Sequence, residues 1–303
     1  MRPDVGVTRW DGHTGIPDKT AAGDAARRMQ QAVSSVSHPG QISLSPSDVN
    51  PMKRALAYIG TKNDTFAQHP IFDYLKDESV PAQQRLVFAP YMAHFVFSFM
   101  DINRFILRDA RSDDRLQHLV NIHTEEDSHH WPWYLNDLTK LQLNHSKSFT
   151  DALYFIWSDH GIRSRMITYD MVGLAKQASP IGRVILVEVI EKTGNVFLAR
   201  TADVCALLDN PADYLYFGKH HLSCESGHHM GTPDIENVLE AIELTDSELD
   251  AGIQLIDATY TLYEQFLTEM LAFARRHDYQ TLVSGNAYPA SISRDEQNTG
   301  PVK

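Results

Sequence analysis

Cysteine is nearly absent from this 303-residue chain: only Cys205 and Cys224 occur, and they form no C-x-x-C pair. That excludes a disulfide framework and a thiolate-rich zinc or iron–sulfur site, and leaves both as reduced thiols whose ordinary role is packing. Long apolar runs are missing too; none approaches the roughly 18 to 20 residues that a membrane helix needs. The polar start, with Arg2, Asp4 and Asp11, lacks the apolar core of a signal peptide, so the expected location is the cytoplasm, with no membrane partner. Basic residues are outnumbered, 27 Lys and Arg against 39 Asp and Glu, for a formal charge of −12. With no basic run to neutralise phosphates, nucleic acid is not an expected partner. Internal repeats are lacking, as is any alternating apolar pattern long enough to demand a sheet.

What is present is an ordinary globular composition, 43% hydrophobic and 22% charged, sufficient for one sizeable core. Residues 1–45 are rich in Gly, Ser, Asp, Gln and Pro and read as a flexible arm, because they carry too little apolar surface to offset ordering entropy. Residues 46–278 form the expected helical domain, and 279–303, with Gly285, Pro289 and Gly300, the expected loose tail. Within the domain, apolar residues recur at helical spacing between capping signals. A helix is predicted from Pro81 to about Arg108, kinked at Pro90. Another runs from Ser112 to about Leu143, with Asp113 and Asp114 suiting its dipole. A third, beginning at Ser148 or Thr150, breaks near Gly161 and resumes. The next runs from Pro180 to Asp203 or beyond. One more opens at Pro211, after Asn210 as cap, and continues through His229. The last begins after Thr232 or Thr245 and reaches Arg276. The fold class is therefore all-α, a bundle of about seven core helices.

Three segments break the pattern of an ordinary bundle. Seven of the 15 histidines (His123, His129, His130, His220, His221, His228 and His229) fall in two short windows that also hold Glu125, Glu126 and Glu225. In the later window His221, Glu225 and His228 are offset by four and three residues, which puts all three on one stripe of a helix. In the earlier one Glu126 and His129 stand at i and i+3, the Glu-x-x-His arrangement by which one helix supplies a carboxylate and an imidazole to a metal in a bundle. Glu125 and His130 are the alternatives there. The third segment, VILVEVIEK, embeds Glu188 among Val184, Ile185, Val187, Val189 and Ile190, where an ionised group is costly unless it is paired or metal-bound. Glu191, one turn on, is the alternative, set aside because Lys192 and Gly194 follow it. Six ligands, Glu126, His129, Glu188, His221, Glu225 and His228, suit two divalent ions of iron, manganese or zinc. His123, His220 and His229 point off these stripes and are assigned surface or supporting roles.

The triplet His221-x-x-x-Glu225-x-x-His228, preceded by Glu126 with His129 and then by Glu188, resembles the ordered metal motif of the heme-oxygenase-like diiron oxidases and oxygenases, over roughly residues 65 to 275. The resemblance implies a heme-oxygenase-like helical bundle, a cofactor of two Fe2+ ions and an oxidoreductase that activates dioxygen. It also implies a small amine, amino acid or fatty acid as substrate, with N-oxygenation, desaturation, decarboxylation or C–C cleavage as the outcome. Dimerisation and an external electron donor are likewise implied by the family rather than read from the residues. Phe95, Phe99, Met100, Trp157, Tyr169 and Met171 are candidates for a substrate pocket, though apolar helix faces ordinarily just pack.

Two other classes compete. A metal-dependent hydrolase of the His-Asp type would use Asp159-His160 or His277-Asp278. A non-catalytic relative of the thiaminase-like branch would have a cysteine at its centre, but Cys224 is roughly 100° around the helix from Glu225. Heme degradation is disfavoured, because neither an early proximal histidine nor a glycine-rich distal helix is visible.

Overall fold

The computed structural model describes residues 50–144, 148–225 and 235–284. All regular structure among them is helical, and no strand occurs. No described helix is long and apolar enough to cross a membrane. The expected arm over 1–45, and residues 46–49 of the expected domain, lie outside the described residues.

The chain enters through α1 (Pro51–Phe66), capped by the Asn50 side chain, which accepts from Met52 N. α2 (Pro70–Lys76) and the single turn α3 (Ala82–Arg85) follow. The helix predicted over 81–108 is split: a 3-10 turn at Ala89–Met92 surrounds Pro90 before α4 (Ala93–Asp101), which ends in a π-helical segment, Ile102–Leu107. Proline offers no N–H to the turn before it and its ring crowds that turn, so the break falls where the sequence places Pro90.

The helix predicted over 112–143 is also two. α5 (Arg115–Asp127) starts where the Asp114 carboxylate accepts from Leu116 N and Gln117 N, and α6 (Trp131–Lys140) resumes after a turn. Pro132 is the cause: it cannot donate to the Ser128 carbonyl, and it sits comfortably in the first turn of a new helix. α7 (Phe149–Trp157) and α8 (Ile162–Gln177) flank a 3-10 turn at Asp159–Gly161, as the Gly161 break predicts.

α9 (Pro180–Cys205) is the axis of the bundle, with α12, α5, α10 and α1 packed around it. Residues 184–190 are all buried, which no surface helix permits, since a surface helix hides only a stripe. Each fully buried Val, Ile or Leu among them contributes about 1.5–3 kcal/mol. α12 (Asp246–Arg276) opens with a capping box between Thr245 and Glu248. It lies close to α9: a Cβ on Gly252 would sit 2.7 Å from Ile185 Cδ1, the far end of that side chain.

Between α9 and α12 the chain departs from expectation. The helix predicted from Pro211 lasts one 3-10 turn, Pro211–Asp213, and residues 214–218 are irregular before the short α10 (Lys219–Glu225) and α11 (Ile235–Glu240). The backbone N–H groups of Leu215, Tyr216 and Phe217 do not point along a helix; they donate to the buried carboxylate of Asp137 on α6, at 2.7, 2.9 and 2.8 Å. At the start of the expected tail Asp278 caps a further short helix, α13 (Tyr279–Val283), which buries Leu282; residues 285–303 lie outside the described residues.

Candidate metal centre

α5 presents a buried stripe that begins with Leu119 and Val120 and continues through His123 to Asp127, each 4% exposed or less. This face packs against α9. There His123 Nε2 lies 3.0 Å from Asp127 Oδ2 and 3.3 Å from Glu191 Oε1. The three donor atoms lie within 4.8 Å of one another, and among the described residues this is the group that could hold a metal ion.

About 3 Å is the spacing of neighbouring donors around a small divalent ion whose bonds are about 2.1 Å long. Two carboxylate oxygens address the same imidazole nitrogen, which has only one hydrogen to give or one lone pair to offer. One imidazole and two carboxylates gathered this closely are the donor types that hold a divalent ion, so the set fits one. The ligands are hard or borderline and contain no thiolate, which suits iron, manganese or zinc.

A pair of imidazoles shares a cavity with Asp127 and Glu191. His130, at the start of α6, and His221, on α10, approach with Nδ1 of the first 3.0 Å from Nε2 of the second. His221 Nδ1 is 3.0 Å from the Tyr216 carbonyl oxygen. A carbonyl only accepts, so Nδ1 of His221 carries hydrogen and, in the neutral ring, Nε2 bears the lone pair. A backbone carbonyl behind one ring nitrogen is the usual way in which a metal-binding histidine is oriented. Trp133 stacks on the His130 ring at 4.4 Å and 15°, fixing its plane.

Asp127, His130, Glu191 and His221 line one cavity of about 100 Å³. Its remaining wall is apolar, formed by side chains such as Met92, Phe95, Phe99, Met100, Phe197 and Phe266. No Lys or Arg occurs among the described residues that line it. Tyr263 of α12 faces the cavity as well. Burial pushes its phenol well above the usual range, and the charges of Asp127 and Glu191 push the same way.

The six residues predicted as ligands are distributed differently. Glu126 is part-buried in the last turn of α5 and does not line the cavity. His129 falls in the turn created by Pro132; it is exposed, its Nδ1 is 2.9 Å from the Glu125 carbonyl oxygen, and the i, i+3 relation to Glu126 on one helix is lost. Glu188 is buried on α9, one turn before Glu191, and it is Glu191 that joins the cluster. His221 is on the cavity wall. The Glu225 side chain and all of His228 lie outside the described residues.

His123, expected to have a surface or supporting role, is central, and Asp127 is not among the predicted ligands. The signal that finds both is the apolar stripe of α5: counting on from Leu119 and Val120 by three and four reaches His123 and then Asp127.

Of the expected pocket residues, Phe95, Phe99 and Met100 line the cavity, Met171 is buried outside its wall, and Trp157 and Tyr169 are exposed. Asp278 is a helix cap and the His277 ring stacks on Phe273, which gives that hydrolase-like dipeptide a structural role. Cys205 is buried, with its thiol pushed up by burial, and Cys224 is part-buried. Comparison of the chain with protein-family models and with curated proteins finds no match.

Proposed function

We propose that this protein is a non-heme diiron oxidoreductase with a heme-oxygenase-like bundle, which activates dioxygen to oxidise a small molecule held in the apolar cavity. The observation that carries the reading is the convergence of His123, Asp127 and Glu191, two of which, Asp127 and Glu191, line that cavity together with His130 and His221. His123, Asp127 and Glu191 would hold one ion. His130 and His221, together with Glu225 and His228 of the sequence triplet, are the candidates for the second. Bound iron supplies dioxygen binding and the redox change, with an external donor returning electrons.

The chain's own residues do the rest. Asp127 and Glu191 bring negative charge that favours a divalent cation over a vacant or protonated site. The Phe and Met wall excludes water and selects the apolar part of a substrate. Because the described lining offers no Lys or Arg, a substrate's polar end is directed to the metal end of the cavity rather than to a separate cationic pocket. That is compatible with an amine, an amino acid or a fatty acid.

The test is anaerobic titration with ferrous iron, followed by metal analysis and oxygen uptake. The expected result is two irons per chain and oxygen consumption, both lost in His123→Ala, Asp127→Asn and Glu191→Gln and retained in His129→Ala. A protein that holds no iron, or holds only zinc and hydrolyses esters or phosphoesters, would overturn the proposal.

A further inference from the structure

Asp137 is fully buried, with 0% exposure, and does not line the cavity. Its carboxylate is wrapped in donors: Leu215 N and Asn136 Nδ2 give to Oδ1, and Tyr216 N and Phe217 N give to Oδ2. Burial pushes its carboxyl above the usual carboxylate range, and these hydrogen bonds oppose the rise, as expected of an anion held by backbone dipoles.

The Phe217 N–H and the Tyr216 carbonyl belong to the same peptide plane. One edge of that plane donates to Asp137 Oδ2 at 2.8 Å, and the other accepts from His221 Nδ1 at 3.0 Å. Carboxylate, peptide and imidazole therefore form one line of hydrogen bonds. A negative charge at the N–H edge increases the electron density at the carbonyl oxygen through amide resonance, and successive hydrogen bonds strengthen one another. The arrangement is a carboxylate–histidine pair with one peptide inserted between its members.

We propose that Asp137 is a positioning residue that acts through the Tyr216–Phe217 peptide on His221, fixing its hydrogen on Nδ1 and strengthening the lone pair of Nε2, the nitrogen that faces His130. The loop adds a second constraint on the same residue, because His221 N also donates to the Leu215 carbonyl. Asp137 thus explains why the segment before α10 is not helical: its N–H groups are used to set a side chain. The effect on metal retention rests on the proposed metal centre, whereas the tautomer of His221 does not.

The experiment is nitrogen NMR of the metal-free full chain with labelled histidine, His221 being assigned by comparison with His221→Gln. It is paired with zinc affinity measured by competition with a chelator. The wild-type ring is expected as the Nδ1–H form. Asp137→Asn, which keeps the side-chain size but loses the charge, is expected to shift His221 toward a tautomer mixture and to weaken zinc by about 10- to 100-fold. Asn136→Ala, which removes a donor to the same carboxylate without touching the peptide link, should change neither. A wild-type His221 in the Nε2–H form overturns the proposal without any variant having to fold, and so does Asp137→Asn with unchanged tautomer and affinity. A wild-type protein with the expected tautomer that binds neither iron nor zinc supports the relay and refutes the metal reading.

Discussion

Gly218→Ala is the substitution that most directly connects the loop to the site. A Cβ at position 218 would lie 2.1 Å from the Tyr214 carbonyl oxygen and 3.1 Å from both the Tyr214 carbonyl carbon and its Cβ. The closest atom is backbone, so no side-chain rotation relieves the contact, and carbon needs about 3.5 Å for a favourable approach. The turn must open by roughly 1 Å, and overpacking of that kind costs about 1–3 kcal/mol. For a chain of this size each kcal/mol lowers Tm by about 2–4 °C, giving an expected fall of about 2–12 °C by calorimetry. The same opening moves the Tyr216 carbonyl away from His221, so iron retention should fall together with Tm. Gly60→Ala is the control: it lies on the exposed face of α1 with nothing within 4 Å of its Cβ, and should raise stability by about 0.4–1 kcal/mol. If Gly218→Ala melts and loads iron like the wild type, the reasoning about this turn is refuted.

Three further expectations follow from single contacts. Gly194 lies within α9 and on the cavity wall, with open space where a Cβ would go, so Gly194→Ala should stabilise the helix by about 1 kcal/mol while reducing xenon uptake in the cavity. Tyr134 is fully buried and its hydroxyl donates to the Ala89 carbonyl at 2.8 Å; Tyr134→Phe should cost about 1–2 kcal/mol in denaturant unfolding, with no change in the m value. Asp257 is held below its ordinary value of 3.8, first by the Tyr58 hydroxyl and then by Lys62. A carboxyl with a depressed folded value contributes stability above that ordinary value and loses it as the pH falls through the folded one. The Tm gap between wild type and Asp257→Asn should therefore be full at neutral pH and close below pH 3.8; a gap that widens in acid contradicts the assignment.

Much of the helical frame was legible because its punctuation is local. Pro180, Gly161 between two apolar runs, and Thr245, one of the two starts offered for the last helix, each act within a few residues, and the structure places helix ends at all three. The metal-type residues were legible as composition but not as an assembly. Which face of α5 turns inward is decided by its packing on α9, and Pro132 moves His129 into a turn, so a rule that assumes one continuous helix selects Glu126 and His129 where the bundle gathers His123 and Asp127. Choosing between Glu188 and Glu191 met the same limit. Both are largely withdrawn from solvent, at or just after the stretch 184–190 of α9 that is buried on every side, and only the position of α5 distinguishes them. The irregular loop at 214–218 was illegible for a different reason: its backbone answers to Asp137, almost 80 residues earlier in the sequence.

The most direct measurement is anomalous diffraction at the iron edge from crystals grown anaerobically with ferrous iron. The expected map has a peak within bonding distance of His123 Nε2, Asp127 Oδ2 and Glu191 Oε1. Crystals that show no peak there, with the three side chains still hydrogen-bonded to one another, or iron only beside the exposed His129, would contradict the proposed metal centre.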